Sequence, residues 1–488
     1  MRTEPRAGAA QQDHELARLQ LGVMFRLTGA CSGRARALGL RIAVAPSGWK
    51  AKEISSQVAV RGVVACADSP AASTSCTRAA LAGRQRGDGR RTFIDSHDSH
   101  DAPSGRASAV ESISFLLIAV ILTALAFDFT NGFHDTANSM ATSIATGALK
   151  PRVAVAVAGV LNLAGAFLST KVAATISNGL VNDSKVSLVM IFAGLVGAIL
   201  WNLTTWLFGL PSSSSHALFG GLIGAVWVGA GGSAIRFTQL VEKIVIPAIA
   251  SPILACGVAL VATYLAYKIT QRTAERKVNK GFRAGQVGSA SLVALAHGTN
   301  DAQKTMGVIT LALISTGMLA HGSQPPWWVV LSAGLAISLG TYVGGWRIIR
   351  TMGKGLTDIQ APQGFAAETT ATAVILASSH LGFALSTTQV CTGGILGSGL
   401  GRKLAKVRWG IAGRIAVSWV LTLPAAAAAG AVSAWVADQG DLGVAIVAGV
   451  AVAAAVGFYA LSRRRPVTPD NVNEVPSRER ELAGPSTV

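Results

Sequence analysis

From about position 112 onward the chain alternates long apolar runs with short polar breaks. The runs fall near 113–145, 153–175, 187–208, 217–232, 244–270, 286–313, 327–345, 366–383, 390–401, 411–436 and 442–462. A helix needs on the order of 20 apolar residues to cross a bilayer. The pattern therefore predicts an all-α polytopic membrane protein with about 10–12 transmembrane segments. The runs at 217–232 and 390–401 are short and each follows a Ser/Thr cluster, so they read equally as arms of broken or re-entrant helices.

Polar residues enter these runs at matched places. N-G-F-H-D-T-A-N at Asn131 to Asn138 returns as H-G-T-N-D-A-Q-K at His297 to Lys304, 166 positions later. Thr170 to Leu180 lines up with Trp346 to Leu356 at an offset of 176, and P-S-S-S-S-H-A-L-F-G-G-L-I-G from Pro211 with A-L-S-T-T-Q-V-C-T-G-G-I-L-G from Ala384 at 173. Three elements in one order at near-constant spacing indicate a duplicated unit of roughly 170 residues, far longer than a solenoid repeat.

Charge then orients the halves. Only 14% of residues are charged, and after position 110 the Lys and Arg gather in loops: Arg272 to Arg283, Arg347 to Lys354, Arg402 to Arg408 and Arg463 to Arg465. Loops rich in Lys and Arg stay cytoplasmic. Counting back through five crossings puts Lys150 and Arg152 inside, so the first motif runs inward and the second outward, as two inverted-topology repeats require. After position 110 the basic residues sit in loops flanking the spans, so topology explains them and the net charge of +18 does not point to nucleic acid.

The expected segments are a disordered basic extension at 1–110, a first inverted repeat at 111–270 and a cytoplasmic basic linker at 271–285. A second repeat at 286–408, C-terminal transmembrane helices at 409–465 and a disordered cytoplasmic tail at 466–488 complete the chain. The extension holds 16 of the 42 Lys and Arg, on the side that the charge rule forbids, which suggests an overlong reading frame or a processed leader. Deleting 1–110 is therefore expected to leave the function intact, checked in cells whose membranes contain the shortened protein. Cys256 and Cys391 stand alone, no metal is expected, and G-x-x-x-x-G-K-[ST] is absent, so no cofactor is implied.

The candidate chemistry lies in the repeated motifs. An ionised carboxylate inside a membrane is costly and is usually retained to pair, to coordinate an ion or to relay a proton. Asp135 and Asn138 share a helix face, and their counterparts are Asn300, Asp301 and Lys304, the last either neutralising Asp301 or attracting an anion. Ser213, Ser214 and Ser215, matched by Ser386, Thr387 and Thr388, precede helix-like segments. Helix N-termini ringed by hydroxyls bind oxyanions, although ordinary N-capping would use the same residues. Glu368 is a further intramembrane carboxylate, either a coupling group or an interfacial one.

On F-D-F-T-N-G-F-H-D-T-A-N, P-S-S-S-S-H, H-G-T-N-D-A-Q-K-T-M-G, G-G-W-R-I-I-R-T-M-G-K and the later S-T-T, the chain from about Ser112 to Arg465 resembles the inorganic phosphate transporter (PiT) family, in its bacterial low-affinity form. The resemblance implies two inverted halves enclosing phosphate and a cation. Asp135, Asn138, Asn300 and Asp301 would be the cation and substrate residues, joined by Lys304 and Glu368, and Ser213 to Ser215 with Ser386 to Thr388 the phosphate donors. Gln389 stands where the family often has His. Asn162 stands where sodium-coupled relatives tend to have Glu, which would leave Glu368 alone and favour protons. The implied partners are inorganic phosphate, free or as a metal–phosphate complex, a coupling cation (H+ or Na+), the lipid bilayer of the cell membrane and a second copy as a homodimer. Sulfate import by the same architecture, and a phosphate-binding channel or sensor, are the alternatives.

Overall fold

The computed structural model describes residues 104–474 apart from 180, 182 and 403–406. Residues 1–103, most of the N-terminal extension, lie outside the described residues, while 104–110 already belong to the first helix. The first half of the chain forms α1 (Ser104–Ala145), α2 (Pro151–Ala166), α3 (Lys171–Gly179), α4 (Leu188–Leu207), α5 (Ser214–Ala230) and α6 (Phe237–Thr270). The second forms α7 (Glu275–Ser315), α8 (Trp327–Val343), α9 (Trp346–Arg350), α10 (Ala361–His380), α11 (Thr387–Gly401) and α12 (Trp409–Ala437), and α13 (Asp441–Arg463) follows. The stretch expected as a loop linker is thus helical from Glu275 on.

The two sets match element by element. The motif helices α1 and α7 are long, at 42 and 41 residues, and pass through Asn131-Gly132 and His297-Gly298 without a break. Bends come later, at 69° between α2 and α3 and 60° between α8 and α9. The sharp reversals before α5 and α11 have one cause: Gly209 (φ 67°) and Gly382 (φ 76°) adopt the left-handed conformation that lets a helix end and its last carbonyls be capped. Ser213 and Ser386 then accept the N–H of His216 and Gln389 and start the next helix.

Packing between the sets is reciprocal. α12 lies on α5 while α6 lies on α11, and α8 lies on α1 while α2 lies on α7. The close crossings rest on glycine: Gly132 meets the backbone of Ile337, Gly340 and Thr341, and Gly298 meets that of Asn162. A side chain at either position would enter a neighbouring main chain. Reciprocity includes α12, which lies beyond position 408. α1 and α7 run antiparallel, since Thr146 bonds Gln286 near one end and Asp128 faces Thr305 further along.

Among the described residues five helices are long and apolar enough to span, α1, α4, α6, α12 and α13, or up to seven spans if each bent pair counts as one. This is fewer than the apolar runs suggested. α5 and α11 have 17 and 15 residues, about 25 and 22 Å at ~1.5 Å per residue, short of a hydrocarbon core of about 30 Å. α7 carries the charged motif.

The basic segments converge at one end of the bundle. Lys354 Nζ donates to Ala145 O, Arg408 to Lys354 O, and Arg347 to the carbonyls of Ser462 and Arg465. The tail expected to be disordered from 466 is ordered as far as Glu474. Arg350 bonds the Asn471 carbonyl and side chain, Arg152 pairs with Asp470 at 3.4 Å, and Val472 is buried. Its anchors come from α2 and α9, far away in sequence, which the tail's own polar composition does not reveal.

Candidate functional site

Where α1 and α7 cross, the two motif aspartates are buried together with the Ser/Thr turns. α5 places Ser214 Oγ 2.7 Å from Asp135 Oδ2, and α11 places Thr388 Oγ1 3.2 Å from Asp135 Oδ1, so hydroxyls from both sets serve one carboxylate. Thr387 Oγ1 donates to Asp301 Oδ2 at 3.2 Å. Asn138 Nδ2 donates to both Thr387 and Thr388, at 3.3 and 3.1 Å. Ser215 Oγ donates to Leu385 O and ties the two turns to each other.

Positive charge is supplied within the site. Lys304, fully buried, donates to Asp301 Oδ1 at 2.6 Å, and His297 Nε2 lies 3.2 Å from Asp301 Oδ2 without hydrogen-bond alignment. His134 Nδ1 stands 2.6 Å from Asp135 Oδ1, its Nε2 reaching Thr205 on α4. One ligand atom each from Asp135, His297 and Asp301 lies within 4.8 Å of the others, a set able to share a cation. Mixed carboxylate and imidazole donors suit a small or divalent ion.

The remaining candidates divide. Ser213 and Ser386 spend their oxygens as helix caps and serve the site by starting α5 and α11. Asn300 bonds Ser379, or, with its amide reversed, Asp301 Oδ1 at 3.2 Å. Glu368 lies away from the aspartates in its own cluster, accepting from Thr142 at 2.6 Å, Gln286 at 3.0 Å and Ser289. It is buried rather than interfacial. Asn162 is not its counterpart: it lies on α2, bonds Thr341 and His297 Nδ1, and occupies a different element of its set from α10. Asn162 and Glu368 are therefore not a matched pair and carry no asymmetry between the two sets that would favour protons.

Sequence reasoning passed over Thr142, Gln286 and Ser289, which are ordinary polar residues until the fold brings Glu368 to them. It also passed over Asp128, two helical turns before Asp135 within the same motif. That spacing puts both on one face of α1 and could have been read.

A buried ionic centre where two reciprocal sets of spanning helices cross is the arrangement of a membrane transporter. A model of the phosphate transporter family matches residues 131–430. A probable low-affinity inorganic phosphate transporter of Mycobacterium leprae is 57% identical over 363 residues, covering 74% of this chain and 88% of that protein. One of Bacillus subtilis is 41% identical over 332 residues, covering 68% and 99%. A solved structure described as the sodium-dependent phosphate transporter superposes with a TM-score of 0.60 at 24% identity, over 67% of this chain and 99% of that one, and shares its fold. The chain belongs to the phosphate transporter family.

Proposed function

We propose that this protein imports inorganic phosphate across the cell membrane by cation-coupled symport, the two sets of helices acting as inverted-topology halves that open alternately to either side. Phosphate is carried free or as a neutral metal–phosphate complex. The observation that carries the coupling is a competition for donors. Ser214, Thr387 and Thr388, the hydroxyls an oxyanion needs, are engaged by Asp135 and Asp301. A cation bound at those carboxylates weakens their hold on the hydroxyls and frees them for phosphate. Linkage then requires phosphate to strengthen cation binding by the same factor. Lys304, between the carboxylate and the anion, supplies fixed positive charge in the way a point-charge ammonium does at phosphate sites.

The coupling ion in this reading is the proton, because Glu368, Asp301, Lys304 and Asp128 are all titratable groups buried in the spanning body. A symported proton is a co-substrate, so uptake is expected to fall as external pH rises and to persist without sodium. Labelled phosphate uptake into proteoliposomes under separately imposed proton, sodium and magnesium conditions checks this. Uptake that required sodium and ignored a pH gradient would overturn the proton; sulfate competing as well as phosphate would point to a sulfate permease. Binding with no uptake would leave a sensor or channel.

A further inference from the structure

Four carboxylates are buried in the spanning body among the described residues, and three are well served. Asp135 has Ser214, Thr388 and His134; Asp301 has Lys304, Thr387 and His297; Glu368 has Thr142, Gln286 and Ser289. Asp128 is the exception. It is 0% exposed on α1 and neither of its oxygens has a hydrogen-bond partner. Facing it are Asn131, one turn along α1, and Thr305 on α7, both fully buried, with the Asn131 amide and the Thr305 hydroxyl also unpartnered. The nearest charges beyond these are Asp301 and Lys304.

We propose that Asp128, with Asn131 and Thr305, is a second cation seat, taking a monovalent ion that is either a proton or sodium. This rests on the cation-coupled reading above and adds to it a seat apart from Asp135 and Asp301. A buried carboxylate whose facing Asn131 and Thr305 groups are not aligned for hydrogen bonding, and which has no counter-ion of its own, is costly, and Lys304 is committed to Asp301 at 2.6 Å. A monovalent cation balances the single charge, and the oxygens of Asp128, Asn131 and Thr305 are hard donors that suit it. Because α1 and α7 belong to opposite sets, such an ion would bridge them.

The position also explains how the ion would be felt by phosphate. Asp128 precedes Asp135 by seven residues, about 10 Å along the helix at ~1.5 Å per residue. With Asp128 unloaded, Lys304 is drawn on by two carboxylates, Asp301 and Asp128. Loading Asp128 removes one of them, so the lysine's field turns to the anion and phosphate binds more tightly. Asp128 is a coupling residue and makes no contact with phosphate in this scheme.

The test compares two modes of one preparation. Wild-type and Asp128→Asn proteins in proteoliposomes are assayed for phosphate accumulation driven by an imposed pH gradient or an imposed sodium gradient, and for phosphate–phosphate exchange without any gradient. Accumulation by Asp128→Asn is expected to fall by about tenfold or more while exchange falls by less than about threefold, within the range of ordinary coupling energies. The gradient whose effect disappears identifies the ion. Accumulation equal to wild type would overturn the seat, and so would equal loss of both modes in a protein of wild-type thermal stability. A wild-type protein indifferent to both gradients would instead remove the coupled reading, and the seat with it. Should Asp128→Asn fail to fold, Thr305→Val is expected to raise the cation concentration for half-maximal uptake several-fold, and an unchanged value would overturn the seat.

Discussion

Asp301→Asn is expected to reduce phosphate uptake by about a hundredfold or more, and Asp135→Asn to do nearly the same, with both proteins still inserted in the membrane. Asp301 is the partner of the buried Lys304, and removing one member of a buried ion pair costs about 3–5 kcal/mol because the other is left uncompensated. That penalty falls on stability, and the loss of uptake comes in addition, because a neutral amide cannot replace the charge that balances a bound cation. The stability and transport components separate in a second variant. Asp301→Asn combined with Lys304→Met should recover the thermal stability of the detergent-solubilised protein but not its uptake, since the stranded ammonium is gone and the site remains uncharged. Asp135→Asn keeps a partner for Ser214 yet lacks the charge that binds a cation. Near-normal transport by either properly inserted single variant would count heavily against the two-carboxylate site.

Gly298→Val is expected to yield little or no monodisperse protein after extraction, whereas Gly257→Val should be close to wild type. A Cβ on Gly298 would run into the main chain of Asn162, and backbone atoms cannot be moved aside by a rotamer change. Overpacking costs roughly 1–3 kcal/mol where side chains can adjust, and this crossing lies at or beyond the upper end of that range. Gly257 on α6 has open space in the same direction. Size-exclusion profiles and melting temperatures of the two variants make the comparison. Equal behaviour would mean that the α2–α7 crossing is not held by close approach.

Much of this was legible in the linear sequence because duplication states it twice. The second Asp motif, the second Ser/Thr turn and the segment from Trp346 that matches Thr170 onward each recur at nearly one offset, so the pairing of Asp135 with Asp301 could be read without coordinates. The partners of each helix could not. Nothing in the apolar faces of α5 and α12 says that these two pack together, because such faces are alike in composition and differ only in where small residues fall. The double use of one residue type was also hidden: Ser213 and Ser386 cap helices while Ser214, Thr387 and Thr388 reach the carboxylates. Length and composition alone recognise fewer spans where function makes helices atypical, in the charged α7 and the short α5 and α11. Pairing Glu368 with Asn162 failed because local similarity of motif carries no information about which helix of a set is involved.

The reciprocal packing has a consequence for how the chain is made. α5 is complete at Ala230, but the helix it rests on, α12, begins only at Trp409. At roughly 5–20 residues per second, α5 waits on the order of 10–40 s for its partner to be synthesised. During that interval Gly220 and Gly224, which in the finished protein meet the main chain of Leu423 and Ala427, have only lipid against them. The half-made protein is therefore the form most exposed to misassembly and to membrane quality control, and ribosome pausing between these two helices prolongs its vulnerability.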